Sequence, residues 1–173
     1  WLGSLACATL DVEELREELA SAGRMTDKPL NVNFFAHAKP KQNDEANAAW
    51  LKRLSGHYGD LGVEVPGRLA PPIQPFDDAR CAVVEEFAPA VVSFHFGLPE
   101  KRLLRRLEKV GCKIISSATT VAEAKWLADQ GCSAVIAQGY EAGGHRGMFL
   151  TDDINTQLGT FALVPQIVDA VDA

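Results

Sequence analysis

An amide, a glycine pair and an imidazole follow one another closely at Gln138, Gly143, Gly144 and His145, directly behind the apolar run Ala134 to Ala137. An imidazole near its ordinary pKa is suited to taking a proton from a weak acid at neutral pH. Consecutive glycines let backbone N–H groups approach a ligand closely, because no Cβ stands in the way. Gln138 ends an apolar strand and must find partners, since an unpaired buried amide costs about 1–3 kcal/mol. A ligand edge or a neighbouring loop could supply them. Other apolar runs end in comparable groups: Cys7-Ala8-Thr9, Asn33 to His37, Ser93 to Gly97, and Ser116 to Thr119. Amides, hydroxyls and the imidazoles of His95 and His145 are therefore expected on one rim, with few carboxylates. That set suits a neutral or anionic heterocycle better than a divalent cation, and no metal site is expected.

Each residue also has a plainer use. Asn33 could bond neighbouring backbone at a strand end. His95, between Phe94 and Phe96, could be a satisfied core histidine; Gly143 and Gly144 could be turn residues, and His145 a surface loop residue. Taken together behind a buried strand, they favour a functional site. The sequence has no G-x-G-x-x-G, P-loop, G-x-S-x-G or H-E-x-x-H motif.

The elements that must position these groups alternate between short apolar runs and helix-period segments. Leu2 to Ala8 leads into Asp11–Gly23, where Asp11 and Glu14 have capping-box spacing and Gly23 is the expected stop. Pro29–His37 is the next predicted strand, followed by a helix over Asn43–Ser55 and a looser stretch holding Pro66, Pro71, Pro72 and Pro75. Asp77–Ala88 predicts a helix and Pro89–Gly97 a strand. Pro99 suits the first turn of the helix that follows. Gly111–Ala118 and Gly131–Gly139 are further strands. The helix between them has Thr120 and Glu123 at capping-box spacing, and the final helix begins near Phe161. Continuously apolar strands separated by helices indicate an α/β protein with a parallel sheet. The pattern alone leaves open a small doubly wound sheet or a piece of a barrel, which needs eight βα units and typically about 250 residues.

Composition narrows the function classes. The chain has 173 residues, 47% hydrophobic and 23% charged, enough for one sizeable core. Its net charge is −6, with Lys and Arg scattered or paired with acids, so a nucleic-acid partner is not expected. No apolar run approaches a membrane-spanning length. The opening Trp1 to Ala8 lacks a basic flank and reads as core rather than as the end of a signal peptide. A start at Trp1 rather than Met places the expected true start upstream. Four cysteines, at 7, 81, 112 and 132, stand singly in mostly apolar surroundings. They read as buried thiols of a reducing, cytoplasmic compartment.

Several stretches resemble the nitronate monooxygenase family, formerly 2-nitropropane dioxygenases. They are LGSLACA, PLNVNFF, VVSFHFGLP, the long run from Ile115 to Gly147, and ALVPQIVDAV. They occur in the family's order and cover nearly the whole chain. The resemblance implies one incomplete FMN-binding domain over 1–173, roughly strands two to six of a (β/α)8 TIM barrel with their helices. The family's first strand would precede Trp1, and its phosphate-binding strands would follow Ala173. It implies oxidation of nitronates or nitroalkanes by O2 to carbonyl compounds and nitrite, with FMN carrying the redox step. Small-molecule substrates are then the expected partners, and a homo-oligomer is left open. By the same resemblance, Asn33, Gln138, Gly143 and Gly144 contact the flavin, His145 is the catalytic base, and His95 lines the substrate pocket. Three alternatives stand beside it, the least elaborate being a non-catalytic flavin or phosphate binder; the other two are enzymes. One is a flavin-dependent enoyl-acyl-carrier-protein reductase of the same superfamily; the other is a metal-dependent barrel hydrolase using His95, His145 and Glu141.

Overall fold

A computed structural model describes residues 2–172. Trp1, which opens the stretch read as core, and Ala173, which closes the last predicted helix, lie outside the described residues. Five strands among the described residues make one sheet: β1 (Gly3–Ala6), β2 (Leu30–Phe35), β3 (Val91–His95), β4 (Lys113–Ala118) and β5 (Ala134–Ala137). Among the described residues six α-helices accompany them: α1 (Val12–Met25), α2 (Asp44–Asp60), α3 (Asp78–Phe87), α4 (Lys101–Lys109), α5 (Val121–Asp129) and α6 (Thr160–Val168).

All four strand pairings are parallel, and the strands lie side by side in sequence order. That order separates the two architectures left open above. A doubly wound sheet reverses direction at a switch point. Here every crossover steps to the next neighbour in one direction, and right-handed crossovers then put the helices on a single face. Helices α1, α3 and α4 indeed pack as successive neighbours, as do α5 and α6. The sheet is an arc of a (β/α)8 barrel. Val32, Phe34, Val92, Phe94, Ile114 and Ala118 point to the helical side and are buried there. They meet Leu15, Leu19, Val84, Leu103, Leu107 and Leu127 in one core. Half-buried ion pairs such as Arg106–Glu85, at 2.6 Å, lie between α3 and α4 near the surface. Such pairs contribute about 0–1 kcal/mol, so the apolar core carries the packing.

Local signals account for most element starts. Asp11 caps α1 by accepting from the Glu13 and Glu14 amides, and Glu14 returns a bond to the Asp11 amide, completing the predicted box. The helix does not stop at Gly23, however. It runs on to Met25 with Thr26 as its C-cap. An exposed glycine inside a helix costs about 1 kcal/mol relative to alanine, which the packed face of α1 tolerates. Pro99 stands just outside α4, whose N-cap is Glu100. Thr120 caps α5 by accepting from the Glu123 amide. The Glu123 side chain does not return that bond; its carboxylate accepts from Thr119 and from residues beyond the glycine-histidine loop.

Residues 39–73 form a compact unit of their own, distinct from the one built by residues 1–38 and 74–173. The smaller unit holds α2, capped by Asn43 and running past the predicted end at Ser55 to Asp60. Within it, a cavity of about 530 Å³ is lined by Lys41, Asp44, Leu51 and Arg68 among others. None of the candidate site residues belongs to this unit.

Candidate active site

Strand alternation and register decide which side chains share the face turned away from the helices. Asn33 pairs with Ser93, Phe35 with His95, and Ser117 with Ile136. Two residues beyond Ile136, Gln138 continues on the same face. On β2 and β3 this face is polar. Asn31 donates through Nδ2 to Ser4 Oγ at 2.8 Å and to Ser93 Oγ at 2.9 Å. Asn33 donates through its own Nδ2 to Ser93 Oγ at 2.8 Å and to the Ser93 carbonyl at 3.4 Å. Both Asn33 bonds use the amide nitrogen and leave the acceptor Oδ1 without a partner among the described residues.

Behind β5 the chain folds back over the rim, and Gln138 holds it there. Its Nε2 donates to the His145 carbonyl at 2.9 Å, and its Oε1 accepts from the Gly147 amide at 2.7 Å. The neighbouring loop therefore supplies the partners that Gln138 required. His95 reaches the same carbonyl with Nε2 at 3.1 Å, while its Nδ1 lies 3.2 Å from Ser117 Oγ. A carbonyl oxygen only accepts, so Nε2 must carry the proton. In the neutral ring, Nδ1 then accepts from the Ser117 hydroxyl. Burial holds the His95 pKa below the ordinary imidazole value, outweighing the opposing effect of the His145 carbonyl. Gly147 makes this close approach feasible: a Cβ there would lie 2.6 Å from His95 Cε1.

The His145 ring takes part in none of these bonds. It is exposed and stands edge-on to Phe35, with centroids 5.4 Å apart, and to Phe96, at 5.7 Å. Phe35 and Phe96 also meet each other at 5.3 Å. Phe96 adopts φ 68°, a left-handed conformation uncommon for a bulky residue, and Gly97 follows at φ 87°. A residue held in αL costs of the order of 1–3 kcal/mol. Here it turns an aromatic ring against His145 directly after His95. Gly143 and Gly144 form the outer part of the loop, Gly144 at φ 79°, and a Cβ on either would meet nothing within 4 Å. Their backbone thus faces open space. Glu141 is committed elsewhere: its Oε1 accepts from the Thr160 amide at 2.8 Å, at the start of α6, which has no side-chain cap of its own. Backbone amides, its own and that of Thr160, hold its carboxyl below the usual range.

The structure thus brings His95, Gln138 and His145 into one hydrogen-bonded cluster. Asn33 sits beside it, linked to Ser93 two residues before His95, and Gly143 and Gly144 lie at the open edge. Sequence reasoning placed Phe35, Phe96 and Ser117 only within stretches at the strand ends and Glu123 only in a capping box, and gave none of the four a role of its own at the site. Period-two alternation could have placed Phe35 with Asn33, whereas the partnership of Ser117 with His95 depends on a register that no local signal carries.

Comparisons with known proteins converge on one group. The nitronate monooxygenase family model matches residues 1–173. Over 165 residues the chain is 41% identical to a nitronate monooxygenase of Paraburkholderia phytofirmans, covering 94% of this chain and 45% of that protein. A nitronate monooxygenase of Pseudomonas aeruginosa is likewise 41% identical over 166 residues, covering 94% of this chain and 47% of its own length. Among solved structures, nitroalkane oxidase from Streptomyces ansochromogenes superposes with a TM-score of 0.82 at 33% identity, over 99% of this chain and 49% of that one. FabK from Thermotoga maritima shares the fold, with a TM-score of 0.65 at 23% identity, over 99% of this chain and 40% of its own. The chain spans about half the length of the curated relatives it matches.

Proposed function

The chain belongs to the nitronate monooxygenase family, and from that premise we propose that it carries the proton-abstracting site of an FMN-dependent enzyme. The proposed reaction oxidises nitronates and nitroalkanes with O2 to carbonyl compounds and nitrite. The observation that carries this reading is His145, whose backbone carbonyl is gripped from two sides while its ring stands free against Phe35 and Phe96.

The residues fit a flat heterocycle edged with amide and carbonyl groups. Asn33 offers an unused acceptor, and Gly143 and Gly144 present bare backbone to open space. Gln138 has used one N–H and keeps a second. Asn33, Gln138, Gly143 and Gly144 would hold the flavin, which when bound supplies the redox chemistry. His145 would take the α-proton of a nitroalkane, whose carbon is acidic enough for a neutral imidazole to deprotonate. The resulting imidazolium would remain beside the nitronate anion and favour its retention. The apolar walls of Phe35 and Phe96 would take the substrate's alkyl part. His95 lines the same pocket while both of its nitrogens serve Ser117 and the loop.

The test is a comparison of substrates. His145→Ala in the complete enzyme removes turnover of nitroalkanes, which need deprotonation, and largely spares preformed nitronates. Undiminished nitroalkane turnover in that variant would show that another group is the base. A flavin reductase of the same barrel type would consume NAD(P)H without any nitronate, so NAD(P)H oxidation measured against nitronate-driven O2 uptake separates the two. The relatives named as nitronate monooxygenases, at 41% identity, favour the second activity. The proposed partners are a small-molecule nitronate or nitroalkane and O2, with a homo-oligomer left open. No helix among the described residues is long and apolar enough to cross a membrane. Buried, unpaired thiols accord with a cytoplasmic location, which is part of this proposal.

A further inference from the structure

Glu123 is 0% exposed, and none of the ion pairs among the described residues includes it. A carboxylate in such a place must be satisfied by hydrogen bonds. Four donors surround it. Oε2 accepts from the Thr119 amide at 2.7 Å and from Thr119 Oγ1 at 2.8 Å. Oε1 accepts from the amides of Phe149, at 2.6 Å, and Leu150, at 3.2 Å. One oxygen thus serves the β4–α5 turn, and the other the chain just behind the glycine-histidine loop. Phe149 and Leu150 belong to no helix or strand, so no ladder would otherwise take up these amides.

The docking continues beyond the carboxylate. Trp126, one turn along α5, meets the Phe149 ring at 5.2 Å. The same ring covers Gly97, where a Cβ would lie 3.2 Å from it. The loop that carries His145 therefore has two fixed ends. Gln138 holds it where it leaves β5, and Glu123 holds it where it departs over α5.

We infer that Glu123 is a positioning residue for His145, clipping the distal end of its loop to α5 through an all-acceptor carboxylate; this rests on the proton-abstraction reading given above. The chemistry of the clip is specific. Every partner donates, so a glutamine of the same shape would turn an NH2 toward backbone N–H groups. An aspartate, one methylene shorter, cannot span Thr119 and Phe149 together.

The experiment uses the complete, flavin-bound enzyme and its Glu123→Gln variant, with hydrogen exchange at the Phe149 and Leu150 amides and turnover of a nitroalkane and its preformed nitronate. In the parent, both amides exchange more slowly than those of Thr151 and Asp152, and the substitution removes that protection. The nitroalkane-to-nitronate ratio of kcat/KM falls on the order of 10–100-fold, since an ångström of misplacement is enough for such a loss. Equal loss on both substrates, or unchanged protection in the variant, overturns the inference. If the variant does not fold, the parent decides: Phe149 and Leu150 amides exchanging as fast as Thr151 and Asp152 refute the clip, and slow exchange supports it. If the parent oxidises neither substrate, the functional reading fails by itself, and the exchange data alone judge Glu123.

Discussion

Gly147→Ala should be among the most disruptive single-methyl changes in the protein, although the site leaves an alanine's backbone unstrained. The added Cβ would lie 2.6 Å from His95 Cε1, 3.0 Å from His95 Nδ1 and 3.0 Å from Gln138 Oε1. Ordinary contact begins near 3.4 Å, so the ring must retreat by roughly 0.8 Å, as in other overpacked cores. Cε1 sits between the two ring nitrogens, so pushing it back draws Nε2 from the His145 carbonyl and Nδ1 from Ser117 together. Two hydrogen bonds at about 1 kcal/mol each, with part of the 1–3 kcal/mol typical of overpacking, give a loss of about 2–4 kcal/mol. For a protein of this size that is a fall in Tm on the order of 10 °C. Thermal unfolding of parent and variant measures it. Gly143→Ala is the control: no atom lies within 4 Å of its Cβ, and its stability should stay within about 0.5 kcal/mol of the parent. A Gly147→Ala protein that melts with the parent would mean that His95 is not held in the clamp, and the account of how His145 is placed would fall with it.

Other measurements follow from the same structure. The His95 pKa is lowered in the folded state, chiefly by burial, so the unfolded chain binds the extra proton more readily. Stability from neutral His95 is therefore complete above the ordinary imidazole value of about 6.5 and is lost as pH falls through the lower folded value. Urea midpoints across pH 4–8 should show this slope, and His95→Gln should flatten it. Burial pushes the thiols of Cys7, Cys81 and Cys132 up to about 11, so they stay protonated at neutral pH. A chromogenic disulfide reagent at pH 8 should label none of them until the protein unfolds, and rapid labelling of the native protein would contradict their burial.

The sequence made the alternation of strands and helices legible because each part of it is local. Apolar runs, the Asp11 box and the Thr120 cap all depend on residues within a turn of one another. Strand order depends on long-range pairing, which is why the pattern of elements alone left a barrel arc and an open sheet level; the barrel was expected only through the family resemblance, and the sequential strand order bears it out. Gly23 misled because a glycine ends a helix only where the chain turns into the left-handed region, and here α1 continues to Met25. Glu123 misled more instructively. Its spacing from Thr120 fits a capping box, but the unpaired amides of Thr119, Phe149 and Leu150 compete for the carboxylate and win. At the rim, residue types alone indicated Asn33, His95, Gln138 and His145. What they could not indicate was that His95 and Gln138 converge on one backbone carbonyl, since that depends on how the loop folds back.

The grips on the loop fall on main-chain atoms: the carbonyl at 145 and the amides at 147, 149 and 150. The side chain at 145 thus enters none of these hydrogen bonds and only packs against Phe35 and Phe96, and the protein treats that position as a socket. Exchanging the imidazole for another group there should change which acid–base chemistry is offered while leaving the socket in shape. A laboratory or a lineage could therefore retune the reaction by a single substitution, without rebuilding the barrel that presents it.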